Sequence, residues 1–232
     1  MRSGHRPAEV VLWMTPFRET SMTDRRSFLA TLAALPVMTT LDLGTPVTPT
    51  PVAADWDLSW LDSLTGKHKQ VFDVQEFEIP LIVVSNYLRA FREVMKLEYP
   101  DVNTVVGLGE GYPINATDRI WEQYRLGEKW KIKDPDTGTW ATRNVYALRD
   151  PMPKGVSPEH TVQGLQKRGT IFWQCNNALN FISGNFATEL KRPFEEVRKE
   201  LLDGMLPGVK LVPAHTMLIG LTQEHGCTYE RL

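Results

Sequence analysis

The 232-residue chain carries 26 Lys and Arg against 28 Asp and Glu, a formal net charge of −2. A balance this close to neutral argues against nucleic acid or an anionic membrane surface as partner, and leaves small molecules and proteins as the expected ones. The two cysteines, Cys175 and Cys227, allow one disulfide at most, so stability has to come from packing rather than from a disulfide framework.

The amino-terminal segment reads as an address. Arg25 and Arg26 are followed by Ser27, Phe28 and Leu29, the paired-arginine pattern read by the twin-arginine translocase. Residues 28–38 carry no charge and are rich in Ala, Leu and Thr. That run is too short for a membrane helix, which needs about 20 apolar residues, and it gives way to a proline-dotted linker. Val52, Ala53 and Ala54 then offer small or modest side chains for cleavage before Asp55. Residues 1–54 are therefore expected to hold an upstream extension, a signal peptide and a linker, with Met22 as an alternative start. Residues 55–232 are expected to form one domain of about 178 residues, with no membrane span, working in the periplasm or elsewhere outside the cytoplasm.

Within that domain the short apolar run at 80–84 (PLIVV) predicts a strand, and Leu88, Phe91 and Met95 recur at helical spacing over 85–95. Residues 103–108 (NTVVGL) predict a second strand, closing in the glycine-rich 107–111 before a helix over 117–126. Residues 129–158 lack periodicity and carry turn chemistry at 134–140 (DPDTGTW). They read as an inserted loop of a length that is commonly functional or oligomer-forming. A third strand is expected at 170–174 (TIFWQ), then a helix broken by Gly184 and Pro193. A helix at 194–202, a strand at 208–213, a helix at 215–224 and a last strand at 227–230 complete the chain. Such alternation implies right-handed crossovers and a mostly parallel sheet of about five strands covered on both faces, a three-layer α/β fold.

In an open parallel sheet, ligands bind outside the carboxyl ends of the strands. Four strand ends are candidates: Asn86 and Tyr87, the loop around Gly109, Cys175 with Asn176 and Asn177, and Ala214 with His215. A thiol at a helix amino terminus holds its thiolate more readily, which makes Cys175 the sharpest of them; the alternative is an inert, buried small hydrophobe. His215 is placed either to act as acid or base beside it or to face solvent at the start of its helix. Asn176 and Asn177 either orient a polar ligand or satisfy strand-end backbone. Gly107, Gly109 and Gly111 do not form the dinucleotide fingerprint, and no Gly-x-Ser-x-Gly elbow occurs. His68, His160, His215 and His225 are scattered, with no cysteine at ligand spacing. Neither cofactor nor metal is expected. With Cys175 ending one strand and Cys227 beginning a parallel one, the two should lie at opposite ends of the sheet, beyond the ~7 Å reach of a disulfide, as free thiols.

The run Phe172-Trp173-Gln174-Cys175-Asn176-Asn177-Ala178-Leu179, followed by Val212-Pro213-Ala214, resembles exported members of the DsrE/DsrF-like sulfur-relay superfamily, and Asn86-Tyr87-Leu88 fits that family's first strand-to-helix turn. The resemblance spans about residues 67–229. It implies a flavodoxin-like sheet, a homo-oligomer such as a trimer or hexamer, and a sulfur-accepting cysteine at Cys175. It also implies a sulfur donor or acceptor, protein or small molecule, as partner. The leading expectation is a sulfur carrier, thiol relay or redox-sensing protein using Cys175, and the rival is a noncatalytic small-molecule-binding or assembly protein on the same fold.

Overall fold

The computed structural model describes residues 56–77 and 80–232; Arg25, Arg26 and the expected cleavage site after Ala54 lie outside the described residues. Five strands, β1 (His68–Val74), β2 (Val102–Leu108), β3 (Ile171–Cys175), β4 (Lys210–Val212) and β5 (Thr228–Arg231), form one sheet in the order β4-β3-β2-β1-β5. Every pairing is parallel. The chain steps in one direction from β1 to β4 and then returns across the sheet to place β5 beside β1.

The helices are α1 (Pro80–Ala90), which runs on into a π-helical turn at Phe91–Met95, then α2 (Tyr112–Asn115), α3 (Asp118–Gln123), α4 (Leu126–Lys129), α5 (Val162–Gln166), α6 (Asn176–Leu190), α7 (Phe194–Asp203) and α8 (His215–Glu224). Alternation along the strands decides what each face of the sheet covers. Phe72, Val106 and Phe172 pack against Leu81, Val84 and Leu88 of α1 and Leu165 of α5. Val71, Val105, Trp173 and Val212 face the other way, against Leu218 of α8 and Trp60, Leu61 and Leu64 around a 3₁₀ turn. The architecture is α/β, a parallel sheet flanked by helices on both faces. A third cluster joins α2, α3 and α4 to α6 and α7 through Tyr112, Trp121, Tyr124, Leu179, Phe186 and Leu201.

Residues 80–84 are helix, not strand, and the first strand lies earlier, at His68–Val74. A short apolar run is ambiguous by periodicity alone. Here Pro80 occupies the first helical turn, where its missing N–H costs nothing, and Leu81, Val84, Ser85 and Leu88 form one buried stripe. The strand itself opens with three half-buried polar residues, His68, Lys69 and Gln70, which conceal it. The helix expected over 117–126 is divided into short pieces, because Arg125 adopts a left-handed conformation (φ 52°). Gly184 does not break its helix. α6 continues to a left-handed Lys191, held by buried Leu179, Ile182, Ser183, Phe186 and Ala187 at the spacing of one helical face, which outweighs the ~1 kcal/mol that a mid-helix glycine costs.

Between Lys129 and Pro158 the chain has no helix or strand, only an isolated antiparallel bridge of Lys133 to Trp140. It is nevertheless packed. Ile132, Ala141 and Val145 join the third cluster, and the buried Asn144 side chain donates to the carbonyls of Ile114 (3.0 Å) and Ala116 (2.6 Å).

Candidate functional site

The helix after β3 and the helix after β4 lie on opposite faces of the sheet, because the chain reverses direction between them. The pair of strand ends divided in this way is a topological switch point, the position at which open α/β sheets bind ligands. Cys175 and His215 both stand there.

Cys175 is the last residue of β3 and the N-cap of α6 (φ −71°, ψ 125°). Its sulfur fills the role that a Ser or Asp oxygen usually takes, accepting from the Ala178 amide at 3.5 Å. The same sulfur accepts from the His215 amide at 3.3 Å. α8 has no side-chain cap of its own, so one sulfur serves the amino-terminal amides of two helices. Those amides have no partner within their helices and carry the positive ends of both dipoles. Cys175 is only 5 % exposed.

The His215 ring pairs with groups other than the thiol. Trp173 Nε1 lies 3.2 Å from His215 Nδ1, and an indole N–H can only donate, so Nδ1 is an acceptor and the proton sits on Nε2. Nε2 donates to Asp73 Oδ1 at 2.8 Å. Both ring nitrogens are thus engaged elsewhere, and what His215 presents to Cys175 is its backbone amide. Asp73 also accepts from Tyr229 Oη at 2.8 Å and from Gln75 Nε2. Burial would raise the Asp73 carboxyl, but the hydrogen bonds from Tyr229, Gln75 and His215 outweigh it and hold the group below the ordinary carboxylate range.

Gly107 makes this arrangement possible. Asp73, Gly107 and Trp173 lie side by side across β1, β2 and β3, and the imidazole bridges the outer two over the glycine. A Cβ on Gly107 would come within 2.4 Å of Trp173 Cζ2 and 3.1 Å of His215 Cε1. Gly109, two residues further on, is less constrained, since a Cβ there would meet His215 Cγ at 3.8 Å. Its carbonyl accepts from Gln174 Nε2 at 2.8 Å, which fixes the end of β2 beside Cys175.

Of the residues expected at the site, Cys175, His215 and Gly109 converge. Asn176 borders the site, but its Oδ1 accepts from Arg198 Nη2 at 2.8 Å, tying α6 to α7. Asn177 is exposed at the start of α6. Asn86 and Tyr87 are not at a strand end, because the segment that holds them is the middle of α1. Asn86 is exposed and accepts from Arg89 (2.8 Å), while Tyr87 packs edge-on against Phe72. Asp73, Trp173 and Tyr229 were not expected at the site. The available signal was Gly107, since a glycine inside a strand marks close approach of another group.

Cys175 and Cys227 are both free and buried. Cys227 directly precedes β5, whereas Cys175 closes β3; burial pushes the Cys227 thiol up to about 11, with Lys69 opposing. Among the described residues no three His, Cys, Asp or Glu side chains group as metal ligands, and no helix is long and apolar enough to cross a membrane.

No protein-family model matches the chain, and comparison with curated proteins finds no match. Among solved structures, the chain is similar to a protein of unknown function, MTH1491 from Methanobacterium thermoautotrophicum. The two are 16 % identical, and the match covers 71 % of this chain and 99 % of that one with a TM-score of 0.34. At that score the likeness does not bear on function, and the α/β assignment stands on the sheet itself.

Proposed function

We propose that the chain is an exported DsrE/DsrF-like homo-oligomer in which Cys175 accepts sulfane sulfur and passes it on. The observation that carries this reading is the single sulfur at the switch point, receiving the amino-terminal amides of both α6 and α8. In the transfer, the Cys175 thiolate attacks the outer sulfur of a donor persulfide R–S–S–H. A new S–S bond forms on Cys175, the donor S–S bond breaks, and R–S⁻ leaves with the electron pair, so no external oxidant or reductant is needed. Asp73 and Trp173 act through His215 as positioning residues: they anchor the first residue of α8 and so keep its amide on the sulfur. Phe181 on α6 and Met217 on α8, 61 % and 46 % exposed, supply apolar surface for assembly on the two helices whose first amides meet the Cys175 sulfur.

A second reading, a noncatalytic binding or assembly protein, is favoured by the burial of Cys175 and by its service as a helix cap. Treatment with glutathione persulfide followed by intact-mass spectrometry separates the two. The relay reading expects one added sulfur atom in the wild-type chain and in Cys227→Ser, and none in Cys175→Ser. A folded wild-type protein that takes up no sulfur at Cys175 selects the second reading.

A further inference from the structure

The geometry points to a second site, built by the 129–158 insertion and separate from Cys175, that binds an amphiphilic carboxylate. The site is a cavity of about 460 Å³ between the insertion and the first turn of α1, within the size range of small-molecule pockets.

Its walls are apolar and fixed. Leu81 belongs to the cluster on the α1 face of the sheet, Ile132 and Val145 belong to the α6–α7 cluster, and Phe77, Trp130 and Tyr146 pack against these clusters. Tyr146 is held by a hydrogen bond from its hydroxyl to the Phe77 carbonyl (2.6 Å), and the insertion is pinned by Asn144. The cavity therefore lies between two packed clusters, each anchored independently, and does not depend on a ligand for its shape.

Among the described residues that line the cavity, the side chains of fixed charge are both cationic. Lys131 and Lys133 line it, and neither has a carboxylate partner among the described residues. The nearby Asp134 and Asp136 are engaged by Arg143, at 3.0 and 2.7 Å. Pro80, Leu81 and Ile82, the first turn of α1, bring the positive end of a helix dipole to the same wall. His160 also lines the cavity. Its Nε2 is 3.7 Å from Glu159, while its Nδ1 is buried with no hydrogen-bond partner among the described residues. A ligand that places a flat or flexible apolar body against the aromatic wall and a single anionic head toward the lysines and His160 satisfies both halves of this lining.

Calorimetric titration of the full chain with octanoate and with 2-naphthoate, and with octanol as the uncharged comparator, tests the assignment. At least one carboxylate should bind saturably at one per chain, and octanol more weakly than octanoate. Lys131→Met and Lys133→Met should each weaken binding about threefold to fivefold, the yield of an exposed ion pair. Val156→Trp, which fills the cavity from a half-buried loop position, should abolish it. Cys175→Ser should bind as the wild type does, so that failure of the sulfur-transfer reading leaves this one standing. The assignment is overturned if neither carboxylate binds a protein that unfolds cooperatively, if octanol binds as tightly as octanoate, or if both lysine variants bind unchanged.

Discussion

Replacing Gly107 with alanine adds one methyl group at the centre of the site, and the structure sets what that methyl meets. Its Cβ would stand 2.4 and 2.7 Å from Trp173 Cζ2 and Cε2, and 3.1 Å from His215 Cε1. Neither neighbour is free to give way. Trp173 is fully buried between sheet and α8, and His215 is held at both ring nitrogens. Overpacking of this kind costs ~1–3 kcal/mol, and displacing the indole from Nδ1 forfeits a hydrogen bond of about 1 kcal/mol. The sum, about 2–4 kcal/mol, corresponds to a fall in Tm of ~5–15 °C for a domain of this size. Urea denaturation followed by tryptophan fluorescence measures it directly, with an unchanged m-value marking a true loss of stability. Gly109→Ala is the internal control, because its Cβ meets only His215 Cγ at 3.8 Å, and it should stay within ~0.5 kcal/mol of the wild type. Trp173→Phe removes the atoms in conflict, so combining it with Gly107→Ala should give less than the sum of the two single losses, by about 1 kcal/mol or more. A Gly107→Ala protein as stable as the wild type, or a Gly109→Ala protein equally damaged, refutes the account of the glycine as the notch for the imidazole.

Other expectations concern charge, thiols and export. The Asp73 carboxyl is depressed in the folded state, so its stabilisation is present above the unfolded value near 4 and is lost as pH falls through the folded value. Asp73→Asn should therefore lower stability at neutral pH by ~1–3 kcal/mol and flatten the decline below about pH 4; parallel pH profiles of the two proteins would contradict this. Thiol titration of unfolded, unreduced protein should count two free thiols, and a count of zero would mean a disulfide that the sheet geometry excludes. In the native protein Cys227, held up to about 11, should alkylate at pH 8 roughly a hundredfold more slowly than an ordinary thiol, as read by peptide mapping. Changing Arg25 and Arg26 together to lysine should leave the full-length precursor in the cytoplasm of a bacterial host with a twin-arginine translocase; undiminished export would remove that route.

Much of the site was legible because strand ends carry local signals. Cys175 follows a β-branched and aromatic run and precedes Asn176 and Asn177, and His215 follows Val212-Pro213-Ala214, so both could be placed at carboxyl ends without knowing the sheet. Asn86 and Tyr87 were misplaced because PLIVV at 80–84 satisfies strand composition as well as helix burial, and only packing against Phe72 and Val106 decides between them. That one substitution of helix for strand also hid Asp73, which lies on the strand concealed by its polar opening residues.

Local sequence sets the strands from β2 onward and the helices after β3, the start of α8 at His215, and the position of a cysteine where a strand gives way to a helix, but not α5 between β2 and β3. These follow from local composition and from the geometry of turns. The order β4-β3-β2-β1-β5 was decided only in the tertiary structure, because it depends on which apolar faces cover one another. That order brings Asp73 within 2.8 Å of a histidine 142 positions away, over a glycine whose missing side chain matters only when a ring from another element lies above it.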